Sequence, residues 1–273
     1  MAVAKPMPVA KPMPVAKQMP AALEGSEPAR KSAPRRGAVV GLSLALASAL
    51  AGPAALAGGG GVTITSYGHS ALLIQGGGAR VLLNPFQAVG CAAGLPEPRV
   101  SADVILASSR LKDEGAAVAS GRLLVRPGSY KLAGLAIEGI ASAHDRVGGR
   151  RFGQATIWRW KQGGLDFAHL GGTAGRLSPD DRVLLGRPDV LIIGVGGGAK
   201  VYNGSEAAEV VRELGARRVI PVQYGNRTPS ERCDQGPVEP FLKAMAGSRV
   251  NRPGRTLSVA PPVGDATVIE LLR

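Results

Sequence analysis

Val104-Ile105-Leu106-Ala107-Ser108-Ser109-Arg110-Leu111-Lys112-Asp113-Glu114 is the stretch that frames this chain. Val104–Ala107 is short and apolar at every position. That is the pattern of a strand covered on both faces rather than of one with a solvated side. The run then turns polar at once. Two serines, two cations and the adjacent carboxylates Asp113 and Glu114 follow within seven residues. A buried strand feeding a carboxylate-bearing loop is the first anchor of the fold.

On its N-terminal side, Val62–Tyr67 and Ala71–Gln75 read as strands, Gly76-Gly77-Gly78 as a turn and Val81–Leu83 as the next strand. On its C-terminal side, Leu132–Ile140, Ala155–Trp160 and Leu165–Ala168 continue the series, with Gln162-Gly163-Gly164 as a turn. Val190–Val195 is a second wholly apolar strand. Ser205–Leu214 has helical spacing, with Ser205 as the expected cap and Gly215 as the stop. Arg218–Val222 follows as a strand, Val238–Ala246 as a helix, and Thr256–Val259 and Ala266–Leu271 as closing strands. Strands first and strand–helix–strand units afterwards predict an α/β layered domain.

The chain has 273 residues, of which 1–57 read as a targeting region and 58–273 as one folded domain. Aromatic residues are few, so the core rests on Val, Leu, Ile and Ala. The net charge is +13. Residues 1–36 contribute seven Lys/Arg and two Glu, or +5, which leaves 33 − 7 = 26 basic and 20 − 2 = 18 acidic residues, or +8, for the body. Such a surface can favour anionic partners. Nucleic acid is not the expected one, because no basic-plus-aromatic stacking pattern accompanies the charge.

Residues 3–20 repeat with period six, as Val-Ala-Lys-Pro-Met-Pro twice and then Val-Ala-Lys-Gln-Met-Pro. This Pro-rich repeat, with the basic leader to residue 36, is expected to be disordered. Arg35-Arg36 precede an uncharged run over 37–57 that ends in Ala55-Leu56-Ala57. A basic region, an apolar region and a small-x-small triplet make a signal peptide cleaved after Ala57. The adjacent arginines resemble a twin-arginine signal, although Gly37-Ala38-Val39 stands where x-Phe-Leu is usual. The competing reading is an uncleaved membrane anchor, against which Pro53 and the Ala/Gly content count. Cleavage would leave no transmembrane segment and place the protein in a periplasm, or in a thylakoid lumen in a photosynthetic host. In such an oxidising compartment Cys91 and Cys233, both flanked by loop-like residues, are expected to form a disulfide. Two unrelated thiols are the alternative.

Six motifs now stand in order. They are Tyr67-Gly68-His69-Ser70, Leu83-Asn84-Pro85-Phe86, Ala102–Glu114, His169-Leu170-Gly171-Gly172-Thr173, Asp189–Gly198 and Arg218–Gly225. Together they resemble the metallo-β-lactamase superfamily, in particular the branch similar to L-ascorbate-6-phosphate lactonase and related predicted zinc hydrolases. The resemblance implies a four-layer αβ/βα sandwich with an active site at one edge of two sheets, and a loop that reads His-x-His-x-Asp-His.

Carried over residue by residue, the family's ligands are mostly gone. The three loop histidines fall on Ser109, Leu111 and Glu114, the bridging aspartate on Gly172 and the last histidine on Gln223. Asp113 and His169 remain. Two zinc ions need converging imidazoles and carboxylates, and Leu111 and Gly172 offer no donor side chain. No cofactor is therefore expected. Two other sets were weighed. Asp113, Glu114 and Gln223 are an all-oxygen set suited to magnesium, calcium or manganese, and His69, His144 and His169 are all the histidines of the chain. Ser109 lacks an adjacent base or an elbow motif. Gly196-Gly197-Gly198 lacks phosphate-loop spacing and reads as a tight turn. His144-Asp145, read as neighbours on a strand, would point to opposite faces and not form a general-base pair. On the family fold, a Cys91–Cys233 disulfide would pin two loops over the vacated site.

The leading expectation is an exported metallo-β-lactamase-fold protein with a dismantled dinuclear centre. It would act by binding a protein or small-molecule ligand in the remnant cleft of Asp113, Glu114, His169, Gln223, His69 and His144. The alternative is a zinc- or manganese-dependent hydrolase with a non-standard mononuclear site around Asp113, Glu114 and His169.

Overall fold

The computed structural model describes residues 60–225 and 232–273. The six-residue repeat, Arg35, Arg36 and the cleavage point after Ala57 lie outside the described residues. Among the described residues, fourteen strands, three α-helices and one short 3-10 helix (Gly90–Ala92) build the fold. The first half is β1 (Val62–Gly68), β2 (Ala71–Gly76), β3 (Ala79–Leu83), β4 (Ser101–Leu106), β5 (Ser120–Leu124), β6 (Gly128–Leu132), β7 (Leu135–Ala143), β8 (Gln154–Gln162) and β9 (Leu165–His169). The second half is α1 (Pro179–Leu185), β10 (Val190–Gly194), α2 (Gly204–Leu214), β11 (Arg218–Val222), α3 (Glu239–Ala244), β12 (Arg249–Gly254), β13 (Thr256–Val259) and β14 (Val268–Leu272).

These strands form two mixed sheets. One has six strands in the order β13-β1-β2-β3-β4-β5, and the other eight in the order β12-β14-β11-β10-β9-β8-β7-β6. Strand alternation decides what each face meets. Ile64, Ile74, Val81, Val104 and Leu106 of the first sheet pack on Trp158, Phe167, Val190, Ile192 and Ile220 of the second. Burying one such side chain contributes about 1.5–3 kcal/mol. The intervening residues Leu191, Ile193 and Val219 face the other way, onto Ala207, Val211, Leu214 and Phe241 of the helices.

The α/β sandwich is therefore present, with its helices on the second sheet. On the outer face of the first sheet, Leu73, Leu82 and Ile105 cluster with Val100 and Ala119, which lie in irregular chain. Pro85, Gly90, Gly94, Pro96 and Pro98 keep one of those segments from forming an α-helix, leaving a single 3-10 turn at Gly90–Ala92. In the other, Gly115 approaches so closely that a Cβ there would sit 1.8 Å from the Ser109 carbonyl oxygen.

Some local readings shift. The cap of α2 is Asn203, not Ser205. Its side chain accepts from the N–H groups of Ser205 and Glu206, while Glu206 returns a bond to Asn203 N–H. This is a capping box two residues upstream of the expected cap. Leu132–Ile140 is not one strand. Ala133 (φ 51°) and Gly134 (φ 74°) turn the chain between β6 and β7. The sequence reading also lacked β5, β12 and α1, the last opened by Ser178-Pro179-Asp180-Asp181 with its own capping box.

Gln162 ties the two sheets at the edge away from the site. Its buried amide donates to the carbonyls of Gly76 and Ala79, each at 2.9 Å.

Candidate functional site: a carboxylate-filled cleft

The sheets align their strand ends. β9, β10 and β11 are parallel neighbours, as are β3, β4 and β5, so the loops leaving each trio open at one edge. His169 closes β9, His144 follows β7, Gln223 follows β11 and Glu114 lies in the β4–β5 loop. His69, between β1 and β2, joins them through its carbonyl, which accepts from Gln223 N–H at 3.0 Å.

Glu114 is the centre. It is 2% exposed. Ser109 Oγ donates to its Oε1 at 2.6 Å and Gln223 Nε2 to its Oε2 at 3.0 Å. His144 Nε2 lies 2.9 Å from Oε1. The approach is off the line of a good hydrogen bond, since that nitrogen lacks a partner by geometry. We read the contact as mainly electrostatic. Burial raises the carboxyl's pKa, but His144, Ser109 and the Lys200 charge outweigh it and bring it to about 2. The group is a carboxylate at neutral pH.

Gly172 makes room for it. A Cβ at that position would lie 2.0 Å from Glu114 Oε2 and 2.6 Å from its carboxyl carbon. The Glu114 carboxylate thus occupies the space into which a side chain at 172 would project.

His169 is fully buried, with Nε2 3.5 Å from Ser108 Oγ. Burial lowers its pKa to about 4 against the opposing Glu114 charge, so the ring is neutral at pH 7. Its Nδ1 has no partner among the described residues. His69 is partly exposed as a residue, but its Nε2 is shielded and equally unpartnered. Burial lowers its pKa, with Asp113 and Glu114 opposing. Asn84 and Ser108 form a buried knot. Asn84 Nδ2 donates to Ser108 Oγ at 3.0 Å, and Ser108 N–H to Asn84 Oδ1 at 2.8 Å. Gly172 N–H also donates to Ser108 Oγ.

Among the described residues, three of the four non-glycine residues with positive φ belong to this edge: His69 (50°), Asn84 (39°) and Gln223 (52°). Each such conformation costs of order 1–3 kcal/mol, and strain of this kind concentrates where a site was built.

The remaining expected residues lie around the mouth. Asp113 does not join Glu114 and Gln223. Its Oδ2 is 4.0 Å from Lys200 Nζ and close to Gly90. Leu111 is 36% exposed. His144 and Asp145 sit past the end of β7, in a loop rather than on a strand. His144 turns to Glu114, whereas Asp145 accepts from the N–H groups of Val147, Gly149, Arg151 and Phe152. Burial opposes ionisation there, and the four donors outweigh it to bring the pKa to about 2. Gly197 and Gly198, both with φ 78°, form the expected tight turn. Cys91 and Cys233 are joined by a disulfide, which brackets the same mouth.

Sequence reasoning missed Ser108 and Asn84, although a serine pair at the exit of an apolar strand was the available signal. It also missed the contact between Glu114 and His144.

The fold implies a metal pair, and the donors do not fit one. Ser109, Leu111, Gly172 and Gln223 occupy ligand positions. Glu114 is engaged by three neighbours. Among the described residues no three His, Cys, Asp or Glu side chains converge as a metal site. Neither the all-oxygen set nor the three histidines forms one.

A family model described as a beta-lactamase superfamily domain matches residues 63–223. The chain therefore belongs to the beta-lactamase superfamily, in its metallo-β-lactamase fold. A predicted Zn-dependent hydrolase of the metallo-β-lactamase superfamily from Thermotoga maritima is similar, with a TM-score of 0.64 and 26% identity over 77% of this chain and 98% of that one. Igni18, a metallo hydrolase from Ignicoccus hospitalis, has a TM-score of 0.54 at 17% identity over 73% of this chain and 98% of that one. No curated protein matches. None of these matches reaches the finer L-ascorbate-6-phosphate lactonase branch.

Proposed function

We propose that this chain is a non-catalytic member of a hydrolase family, exported by its leader and working as a binding or assembly protein. The observation that carries the reading is the Glu114 carboxylate seated over Gly172 and held by Ser109, Gln223 and His144. A hydrolytic centre needs an open coordination position and an activated water. Here Ser109, Leu111, Gly172 and Gln223 stand at ligand positions, and the carboxylate that fills the space beside Gly172 is already engaged by three neighbours. The motif order that resembles L-ascorbate-6-phosphate lactonase is, on this reading, a mark of descent. No resident cofactor is part of the proposal, and the partner is a protein or small-molecule ligand rather than nucleic acid.

The test is an assay against lactone, phosphodiester and carboxylic ester substrates with zinc or manganese supplied. The reading expects rates equal to those of a Glu114→Ala, His169→Ala double variant. Turnover in the wild type that this variant loses would establish the mononuclear hydrolase instead.

A further inference from the structure

The loops after β3, β4 and β7 lie at the cleft mouth, beside Lys200 of the loop after β10. They carry four outward apolar side chains: Val89 (42% exposed), Leu111 (36%), Val147 (46%) and Phe152 (37%). Among the described residues, only Val183 and Leu184 of α1 add to the exposed large apolar set, and none lies in the turns at the opposite edge.

Cations stand between them. Arg110, Lys112, Arg150, Arg151 and, next to Cys233, Arg232 are exposed. None of these five makes an ion pair among the described residues. The Arg151 guanidinium lies 4.9 Å from the Phe152 ring centroid, and Lys200 Nζ 5.8 Å from it. Described carboxylates on the same loops are already engaged. Glu114 and Asp145 are buried, Glu97 pairs with Arg99, Asp113 faces Lys200, and Asp234 accepts from Ala199 N–H. At the opposite edge the pattern inverts, with Arg187 on Asp265 and Arg217 on Asp189.

We propose that this edge docks on an anionic lipid bilayer. The apolar tips would enter the headgroup layer while the exposed cations meet lipid charge. Apolar residues flanked by Lys and Arg are the composition of an interfacial surface. The four tips sit on three separate loops around a mouth instead of lining one groove, which suits a broad deformable surface better than an extended peptide. Phe152 is the one exposed aromatic among them, too few for a nucleic-acid stacking platform. The assignment does not depend on whether the cleft is catalytic.

The leader could bind membranes by itself, so the test reads the edge directly. Phe152→Trp places an indole there, and the native Trp158 and Trp160 are both buried. In the full chain, emission of this variant shifts to the blue on adding phosphatidylcholine vesicles containing phosphatidylglycerol. It does not shift with phosphatidylcholine alone, and the effect weakens in high salt. Arg150→Glu with Arg151→Glu lowers the response to anionic vesicles at least about tenfold. Val147→Trp is the second probe, should the first variant not fold. Co-sedimentation with vesicles without a shift at either probe would overturn the proposal. So would a shift with polyglutamate or duplex DNA but none with anionic vesicles.

Discussion

The Glu114 carboxylate rests on the Cα of Gly172, with 2.0 Å between Oε2 and the place a Cβ would take. Read singly, glutamate for histidine at 114 and glycine for aspartate at 172 are two losses of metal ligands. Read together, they keep a carboxylate in the cleft but deliver it from a different backbone position. Its partners Ser109 and Gln223 also stand where the family pattern has histidines. Both Glu114 oxygens are engaged by neighbours, while His69 Nε2, His144 Nε2, His169 Nδ1 and Gln223 Oε1 have no hydrogen-bond partner among the described residues.

Gly172→Ala is expected to destabilise the fold by about 1–3 kcal/mol, as overpacking does. Glu114→Ala is expected to cost about 3–5 kcal/mol, because it leaves His144, Ser109 and Gln223 facing a void. In the Glu114→Ala background the methyl group has room, so Gly172→Ala should cost less than about 0.5 kcal/mol there. A urea-denaturation double-mutant cycle measures that coupling. Additive costs would mean the two positions do not interlock.

Acid should weaken the fold in two stages. His169 titrates near 4 when folded, against its ordinary value of 6.5. The unfolded chain therefore binds the extra proton between those values, and stability rises with pH across them. The contribution is fully present above pH 6.5 and falls by roughly 3 kcal/mol as pH drops toward 4. Glu114 titrates near 2 against 4.5, so its contribution is present above pH 4.5 and is lost as pH falls through 2. Denaturation midpoints across pH should show His169→Gln flattening the upper stage and Glu114→Gln the lower.

The Cys91–Cys233 bridge spans 142 residues of sequence. Replacing both cysteines with serine should cost about 2–5 kcal/mol, because a long loop regains freedom in the unfolded chain. Thermal unfolding with and without reductant checks this. An unchanged midpoint in reduced wild type would contradict it.

Gln162→Leu should destabilise by about 1–3 kcal/mol, because it strands the buried carbonyl of Ala79 and the part-buried one of Gly76. Hydrogen exchange should then rise in the β2–β3 and β8–β9 turns before it rises at the cleft.

Much of the fold was legible because its signals were local. Val104–Leu106 and Val190–Ile193 are apolar at every position, and both proved to be strands buried on two faces. Gly215 stopped α2 as expected. The errors arose where local pattern was silent. Nothing in Ala133 announces a left-handed turn, so one strand was read from Leu132 and β6, which ends there, was missed. The α1 helix shows Val183 and Leu184 to solvent, so its apolar residues carry no inward stripe. In the site, the motif register singled out Glu114, Gly172 and Gln223, which the fold brings into one cluster, but treated each as a separate ligand replacement. That one carboxylate fills the space left at another position is a three-dimensional fact, invisible to a reading that scores each ligand separately. His144 was weighed against its neighbour Asp145, whereas Glu114, which it contacts, lies three strands earlier in the chain, in the β4–β5 loop.

The central claim is that the protein has replaced its metal centre with its own side chains. Elemental mass spectrometry on the folded protein, purified without a histidine tag and dialysed against zinc or manganese, tests it most directly. The account predicts well under about a tenth of an equivalent of either metal, because a neutral, buried His169 and an engaged Glu114 leave no converging donor set. About one equivalent or more, lost on Glu114→Ala or His169→Ala, would contradict it.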